Sequence, residues 1–391
     1  MTAIPAAGER IAPLDMLARL VAFDTISSKS NLEIIAFIES YLAGWGVSSV
    51  RFPNEAGDKA ALFATLGPQN RGGIVLSGHT DVVPVDGQAW SRDPFKLHVE
   101  GGKAFGRGAV DMKAFIALAL SLVPEFLAAD LQTPIHLFFS YDEEVTCLGV
   151  IDGIAAMGGS LPRPRAVIVG EPTMLEPADG HKGVRTFTTV ITGAAAHSSK
   201  PHLGASAVHA GVRLAAELVA IADERQADPD GSGRFEPPYD TIHVGKFHGG
   251  VARNVLADRC EIAWEVRTLP GSDPEAVPAR FAARCAQVLE LMRKTAPDAT
   301  ITTTDYSNVP GLAPDPGSEA ETLAMRLAGR NRTIAVPYGT EAGHFQRAGL
   351  PTIVCGPGSI DQAHQPDEYI TLEQLAAGEA FMRRLLDECR K

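Results

Sequence analysis

The sequence predicts an α/β protein in which a mostly parallel sheet is interrupted by a second, smaller unit of βαββαβ order. Three observations predict it. Short apolar runs recur, and each closes on a small residue followed by a histidine or carboxylate, as expected of buried parallel strands whose ends gather a ligand. Between about Gly183 and Ser307 the pattern changes to alternating strands and two long helices, the split βαβ arrangement of a ferredoxin-like unit. The 391 residues exceed what one ordinary core fills, so about two domains are expected.

Leu14 to Phe23 and Leu32 to Trp45 space their apolar residues as surface helices do, with Asn31 as a cap for the second. Ala60 to Leu66 and Gly73 to Ser77 read as strands, followed by a Pro-containing loop from Val83 to Asp93. Leu97 to Phe105 reads as a hairpin across Gly101-Gly102. Gly106 to Lys113 then opens an apolar stretch, Ala114 to Leu127, expected to be one buried helix with Asp111 near its N-terminus. Ile135 to Ser140 runs into Asp142-Glu143-Glu144, Ala166 to Gly170 into Glu171, and Pro351 to Cys355 into the segment that carries His364.

Within the inserted unit, strands are expected at Val184–Thr192, Thr241–Phe247, Ala257–Thr268 and Thr300–Asp305, with helices at Gly204–Asp223 and Pro274–Thr295. Asp228 to Pro238 is rich in turn formers and reads as a flexible loop. The domains are therefore expected at 1–182 together with 308–391, and at 183–307.

Composition excludes several classes. Hydrophobic residues at 45% and charged residues at 21% are near the globular norm, which argues against disorder, and no apolar run reaches membrane-spanning length. A net charge of -12 repels phosphate backbones, so no nucleic-acid partner is expected. Residues 1–10 lack the basic region and apolar core of a secretory signal, and the five scattered cysteines lack metal-type spacing; both suggest reduced thiols in the cytoplasm.

The chemistry rests on Ile74 to Asp81, where an apolar strand runs into His79 and Asp81. In extended chain these two share a face, so Asp81 can orient one ring nitrogen of His79 while the other meets a metal. Alone, a His-x-Asp is more often a satisfied loop pair. Asp111 alone could cap a helix, Asp142-Glu143-Glu144 could be a solvated run, Glu171 a turn residue and His364 a loop histidine. The bland account must hold at every strand end at once, whereas His79, Asp111, Glu144, Glu171 and His364 together make a two-metal set. His79 and Glu171 would serve one metal and Glu144 and His364 the other, with Asp111 bridging. Glu143 is then free to act as general base on a water held between the metals.

Ser77-Gly78-His79-Thr80-Asp81, Asp111-Met112-Lys113, Asp142-Glu143-Glu144 and Gly170-Glu171-Pro172-Thr173 resemble the motifs of the di-zinc deacylase and exopeptidase superfamily. Thr340-Glu341-Ala342 and the long stretch from Gly356 to Tyr369 resemble its acetylornithine deacetylase branch. The resemblance implies a doubly wound catalytic domain, an inserted lid that forms a homodimer, two Zn2+ ions with Co2+ able to substitute, and a small N-acyl amino acid as substrate. It implies hydrolysis of N2-acetyl-L-ornithine to acetate and ornithine. His197, in Ala196-His197-Ser198-Ser199, is implied as an oxyanion donor, commonly from the neighbouring subunit. One or both of Asn254 and Arg267 are implied at the substrate carboxylate, with a structural role at a strand end the alternative for Arg267, and Glu341 is expected, as a partly buried carboxylate, to sense the side-chain ammonium. Ala114, Glu265 and Gly343-His344 depart from the common pattern, the last beside the presumed specificity loop. Succinyl-diaminopimelate desuccinylases, broad N-acyl-amino-acid deacylases and dipeptidases share the metal motifs, and a non-catalytic metal-binding protein is the alternative from another class.

Overall fold

The computed structural model describes residues 6–69 and 72–391, so the first five residues of the stretch read against a secretory signal lie outside it. The chain divides into two compact units, Met1–Gly180 with Pro314–Ile334 and Thr340–Lys391, and His181–Ala313 with Ala335–Gly339. In chain order the elements before the second unit are α1 Pro13–Val21, α2 Leu32–Gly44, β1 Ser49–Pro53, β2 Ala60–Leu66, β3 Ile74–His79, β4 His98–Glu100, β5 Lys103–Phe105, α3 Lys113–Ser121, α4 Val123–Ala128, β6 Ile135–Ser140, α5 Ile151–Ala156, β7 Ala166–Pro172 and β8 Ala178–His181. Next come β9 Gly183–Thr192, α6 Ala207–Ala227, β10 Thr241–Gly249, β11 Arg259–Thr268, α7 Ala276–Arg293 and β12 Thr300–Val309. The chain ends with α8 Glu319–Ala328, β13 Ile334–Val336, α9 Ala342–Arg347, β14 Thr352–Gly356, β15 Tyr369–Thr371 and α10 Leu372–Cys389.

The large sheet runs β1-β2-β6-β3-β7-β14-β8-β13. Its centre, β6-β3-β7-β14, is parallel, while β1, β2 and β8 pair antiparallel toward the edges. The central strands are buried end to end because helices cover both faces, and their polar residues gather mainly at the strand ends. Ile74 and Leu76 join the core formed with α1, α3, α8 and α10. On the opposite face, Phe138 meets Phe345 of α9 edge-on at 5.9 Å. Gly78 and Gly170, each directly before a predicted ligand, allow the helix layer to approach: a Cβ on Gly170 would lie 2.1 Å from the Phe115 ring.

The single helix expected over Ala114–Leu127 is two, α3 and α4, broken at Leu122. Pro124 lacks an N–H and its ring crowds the preceding turn, so the helix restarts with proline in its first turn. Asp111 does not cap α3; Met112 holds that position without a side-chain cap.

In the second unit the sheet order β10-β11-β9-β12 is antiparallel throughout. Alternate residues Phe187 and Ile191 of β9 and Ile262, Trp264 and Val266 of β11 turn toward α6 and α7 to form a core of their own. Trp264 stacks on Phe187 at 4.2 Å. Among the described residues no helix is long and apolar enough to cross a membrane.

Candidate metal centre

Strand parity builds the site. Ser77 and His79 point from β3 to the same face, beside Ser140, the residue that pairs with His79 at the end of β6. His79 is fully buried. Its Nε2 lies 3.2 Å from Asp111 Oδ1 and 3.5 Å from Glu171 Oε1 at the end of β7. The other oxygen of Asp111 lies 3.2 Å from His364 Nε2, which is 3.0 Å from Glu144 Oε2. Asp111 thus turns one oxygen to each imidazole, and the five residues form one cluster, buried at His79, Asp111 and Glu171 and open at the half-exposed His364.

Glu143 stands against this group, with one carboxylate oxygen able to lie within 4.8 Å of ligand atoms on His79 and Glu171. Burial pushes its carboxyl up to about 8, with the like charges of Glu144 and Asp111 adding to the rise and His79 opposing it. Burial, then the charges of Asp111 and Glu143, likewise raise Glu171 well above the usual carboxylate range. Crowded buried carboxylates of this kind are relieved by a cation. Glu171 Oε1, buried and without a hydrogen-bond partner, marks a vacant acceptor of the kind a metal takes up. Imidazole nitrogens and carboxylate oxygens are the donor set zinc accepts, so the residues present fit the group.

Asp81 meets His79 mainly through its main chain. His79 Nδ1 donates at 2.9 Å to the backbone carbonyl of Asp81, while the carboxylate is 3.6 Å away. That carboxylate accepts from Ser27 Oγ at 2.7 Å and from the amides of Glu143 and Glu144 at 3.2 and 3.3 Å. Asp81 therefore orients His79 through its main chain and the acidic loop through its side chain. Ser27 carries no signal in sequence that could have found it.

Glu341 differs from expectation. It is fully enclosed, not partly exposed, and its two oxygens accept from Ser77 Oγ at 2.5 Å and Ser140 Oγ at 2.7 Å. It clamps the strand ends that carry His79 and the acidic loop, leaving no oxygen facing solvent. The spacing of Ser77 two residues before His79 was the sequence signal for a shared face.

In the second unit His197 is exposed, and Ser199 N–H and Oγ meet its Nδ1 at 3.2 and 2.7 Å. An amide can only donate, so Nδ1 accepts and the neutral ring carries its proton on Nε2. Asn254 is brought to the same place: its carbonyl accepts from Ser198 N, and His197 bridges Val255. Arg267 is not, lying near the far end of β11 with Nε 3.0 Å from Glu265 Oε1. Eight residues from Arg259 to Arg267 span about 26 Å of strand.

The profile of "Peptidase family M20/M25/M40" matches residues 75–388. An acetylornithine deacetylase from Pasteurella multocida (strain Pm70) is 33% identical over 382 residues, covering 96% of this chain and 97% of that protein. An M20 family metallo-carboxypeptidase from Sulfolobus solfataricus shares the fold at a TM-score of 0.78 and 17% identity, covering 97% of this chain and 99% of that one. A Bacillus subtilis protein described as a dinuclear metal binding peptidase of the M20 family superposes at 0.62 with 16% identity, covering 96% of each chain. By its profile match, its curated relative and its mixed α/β architecture, this chain belongs to the M20/M25/M40 peptidase family.

Proposed function

We propose that this metal-dependent hydrolase cleaves the acetyl amide of N2-acetyl-L-ornithine to acetate and L-ornithine, a step of arginine biosynthesis. The observation that carries the chemistry is Asp111 placed between His79 and His364, one oxygen toward each, with Glu143 beside them. The substrate rests on likeness to acetylornithine deacetylases over nearly the whole chain.

Asp111, His79 and Glu171 would hold one Zn2+, and Asp111, Glu144 and His364 a second, with Co2+ able to substitute. Bound there, such ions supply Lewis acidity to the acyl carbonyl and lower the pKa of water. The remaining steps fall to the chain. Glu143 takes the proton of the attacking water and returns it to the leaving amine, a role open to it because it stands against the cluster without being needed as a ligand. His197, with its proton on Nε2, donates to the oxyanion. One or both of Asn254 and Arg267 meet the substrate carboxylate. Asn254 lies in the loop before β11 and Arg267 near the strand's other end, a separation that favours their coming from two copies if both serve one small molecule, and so supports a homodimer formed through the second unit. The cytoplasm is the proposed compartment, supported by five cysteines that are all free.

A broader N-acyl-amino-acid deacylase is the second reading, favoured by the enclosure of Glu341. Turnover of the metal-loaded protein on acetylornithine, succinyl-diaminopimelate, acetylmethionine and a dipeptide separates the two. The proposal expects kcat/KM at least about tenfold higher on acetylornithine, the size of a single well-made polar discrimination; comparable values across the panel establish the broad reading. Glu143→Ala is expected to lower kcat by about 10²–10⁴ with metal content retained. Near-normal turnover in that variant removes Glu143 as the base.

A further inference from the structure

Arg107 lies four residues before Asp111 with its side chain almost wholly buried, and no step above uses it. Its Nη1 donates to Glu368 Oε2 at 2.6 Å. The other oxygen of Glu368 accepts from the amides of Val110 and Asp111 at 3.1 and 3.3 Å, and the Glu368 carbonyl accepts from Gly106 N. Arg107 Nη2 donates to Gln88 Oε1, which also accepts from Trp90 Nε1 at 2.9 Å. Two donors on that oxygen fix the amide's orientation, so Gln88 Nε2 is free to donate to the carbonyl of His364 at 2.9 Å. The Trp90 ring lies beneath the guanidinium at 5.0 Å.

One cation therefore reaches the backbones of two ligands, Asp111 through Glu368 and His364 through Gln88. His364 needs such support. Its φ of 61° is left-handed, a conformation unfavourable for a residue with a side chain, and its imidazole is half exposed, with little packing to hold it. A buried ion pair contributes little net stability, and Arg107 Nε finds no partner at all. What the pair does fix is position.

We propose that Arg107 is a positioning residue for the second metal, setting the spacing of Asp111 and His364 without touching the ion. The role rests on the reading that Asp111, Glu144 and His364 hold that metal. Lysine keeps the charge but has no fork with which to hold Glu368 and Gln88 together. Gln88→Ala cuts the tie to His364 and leaves the Arg107–Glu368 pair, and with it the tie to Asp111, in place.

The test titrates metal-free full-length protein with Co2+, following heat and the visible d–d absorption of each equivalent, with His364→Ala marking which equivalent is the second. Wild type is expected to take two. In Arg107→Lys the second equivalent is expected to weaken about 10- to 100-fold, as loss of residues that orient ligands does, while the first changes by less than about threefold. Gln88→Ala is expected to show the same selective loss to a smaller degree, and it carries the test if Arg107→Lys does not fold. Two equivalents bound with wild-type affinity in the folded variants, or both weakened alike, overturn the positioning role. Wild-type protein that takes fewer than two equivalents overturns the two-metal reading, and the role of Arg107 with it.

Discussion

Glu341 shows how much one side chain's surroundings decide. A carboxylate beside a presumed specificity loop reads as a sensor for a substrate cation, yet both its oxygens are taken by Ser77 and Ser140. Glu341→Gln is therefore expected to lower kcat/KM by a similar factor on acetylornithine and on an uncharged acetylated amino acid; a selectively larger loss on acetylornithine would restore the sensing role. His136 offers a residue-scale prediction about pH. Gly73 N donates to its Nε2 at 3.1 Å, so the proton sits on Nδ1, facing Thr65 Oγ1 at 2.9 Å. Burial lowers its pKa to about 4, and a second proton would also turn Nε2 against the Gly73 amide. Between pH 6.5 and 4 the unfolded chain binds a proton that the folded chain refuses, so stability falls as pH falls through that window, by about 3 kcal/mol in all. The urea midpoint of His136→Gln should fall less steeply with acid than that of wild type, and parallel slopes would refute the assignment.

At the scale of elements, the site depends on how closely β7 lies under α3. Gly170 has no room for a methyl group, because its Cβ would sit 2.1 Å from Phe115. Gly170→Ala is expected to cost about 1–3 kcal/mol through the shift it forces, and to displace Glu171, the next residue on the strand. A denaturation midpoint within error of wild type would show that α3 yields freely. Some elements announce themselves by their ends. Ser318 accepts from Glu321 N at the start of α8, and Thr371 from Gln374 N at the start of α10, the S/T-x-x-E/Q pattern of a capping box. The break between α3 and α4 was equally present in sequence as Pro124, outweighed by the uninterrupted apolar run around it.

For the whole molecule, the two units have separate cores, and the candidate metal ligands belong to the first. Metal at about a thousand times its dissociation constant stabilises the state that binds it by about 4 kcal/mol. Chelation is therefore expected to lower the melting temperature of the first unit while leaving a transition of the second in place, as read by calorimetry with and without EDTA. One transition moving as a whole would show that the units unfold together.

The sequence by itself determined the α/β class, the inserted βαββαβ unit and the residue types of the cluster. Strand periodicity, helix length and donor chemistry are local properties, so His79, Asp111, Glu144, Glu171 and His364 could be named before any was seen to meet another. Tertiary structure decided the partners. Whether His79 is held by a carboxylate or a carbonyl, whether Glu341 faces substrate or serine, and whether Arg107 is a surface charge or a buried tie are questions of burial. Burial depends on residues far apart in the chain, such as Ser77 and Glu341, 264 positions from one another, and no local pattern encodes such pairings.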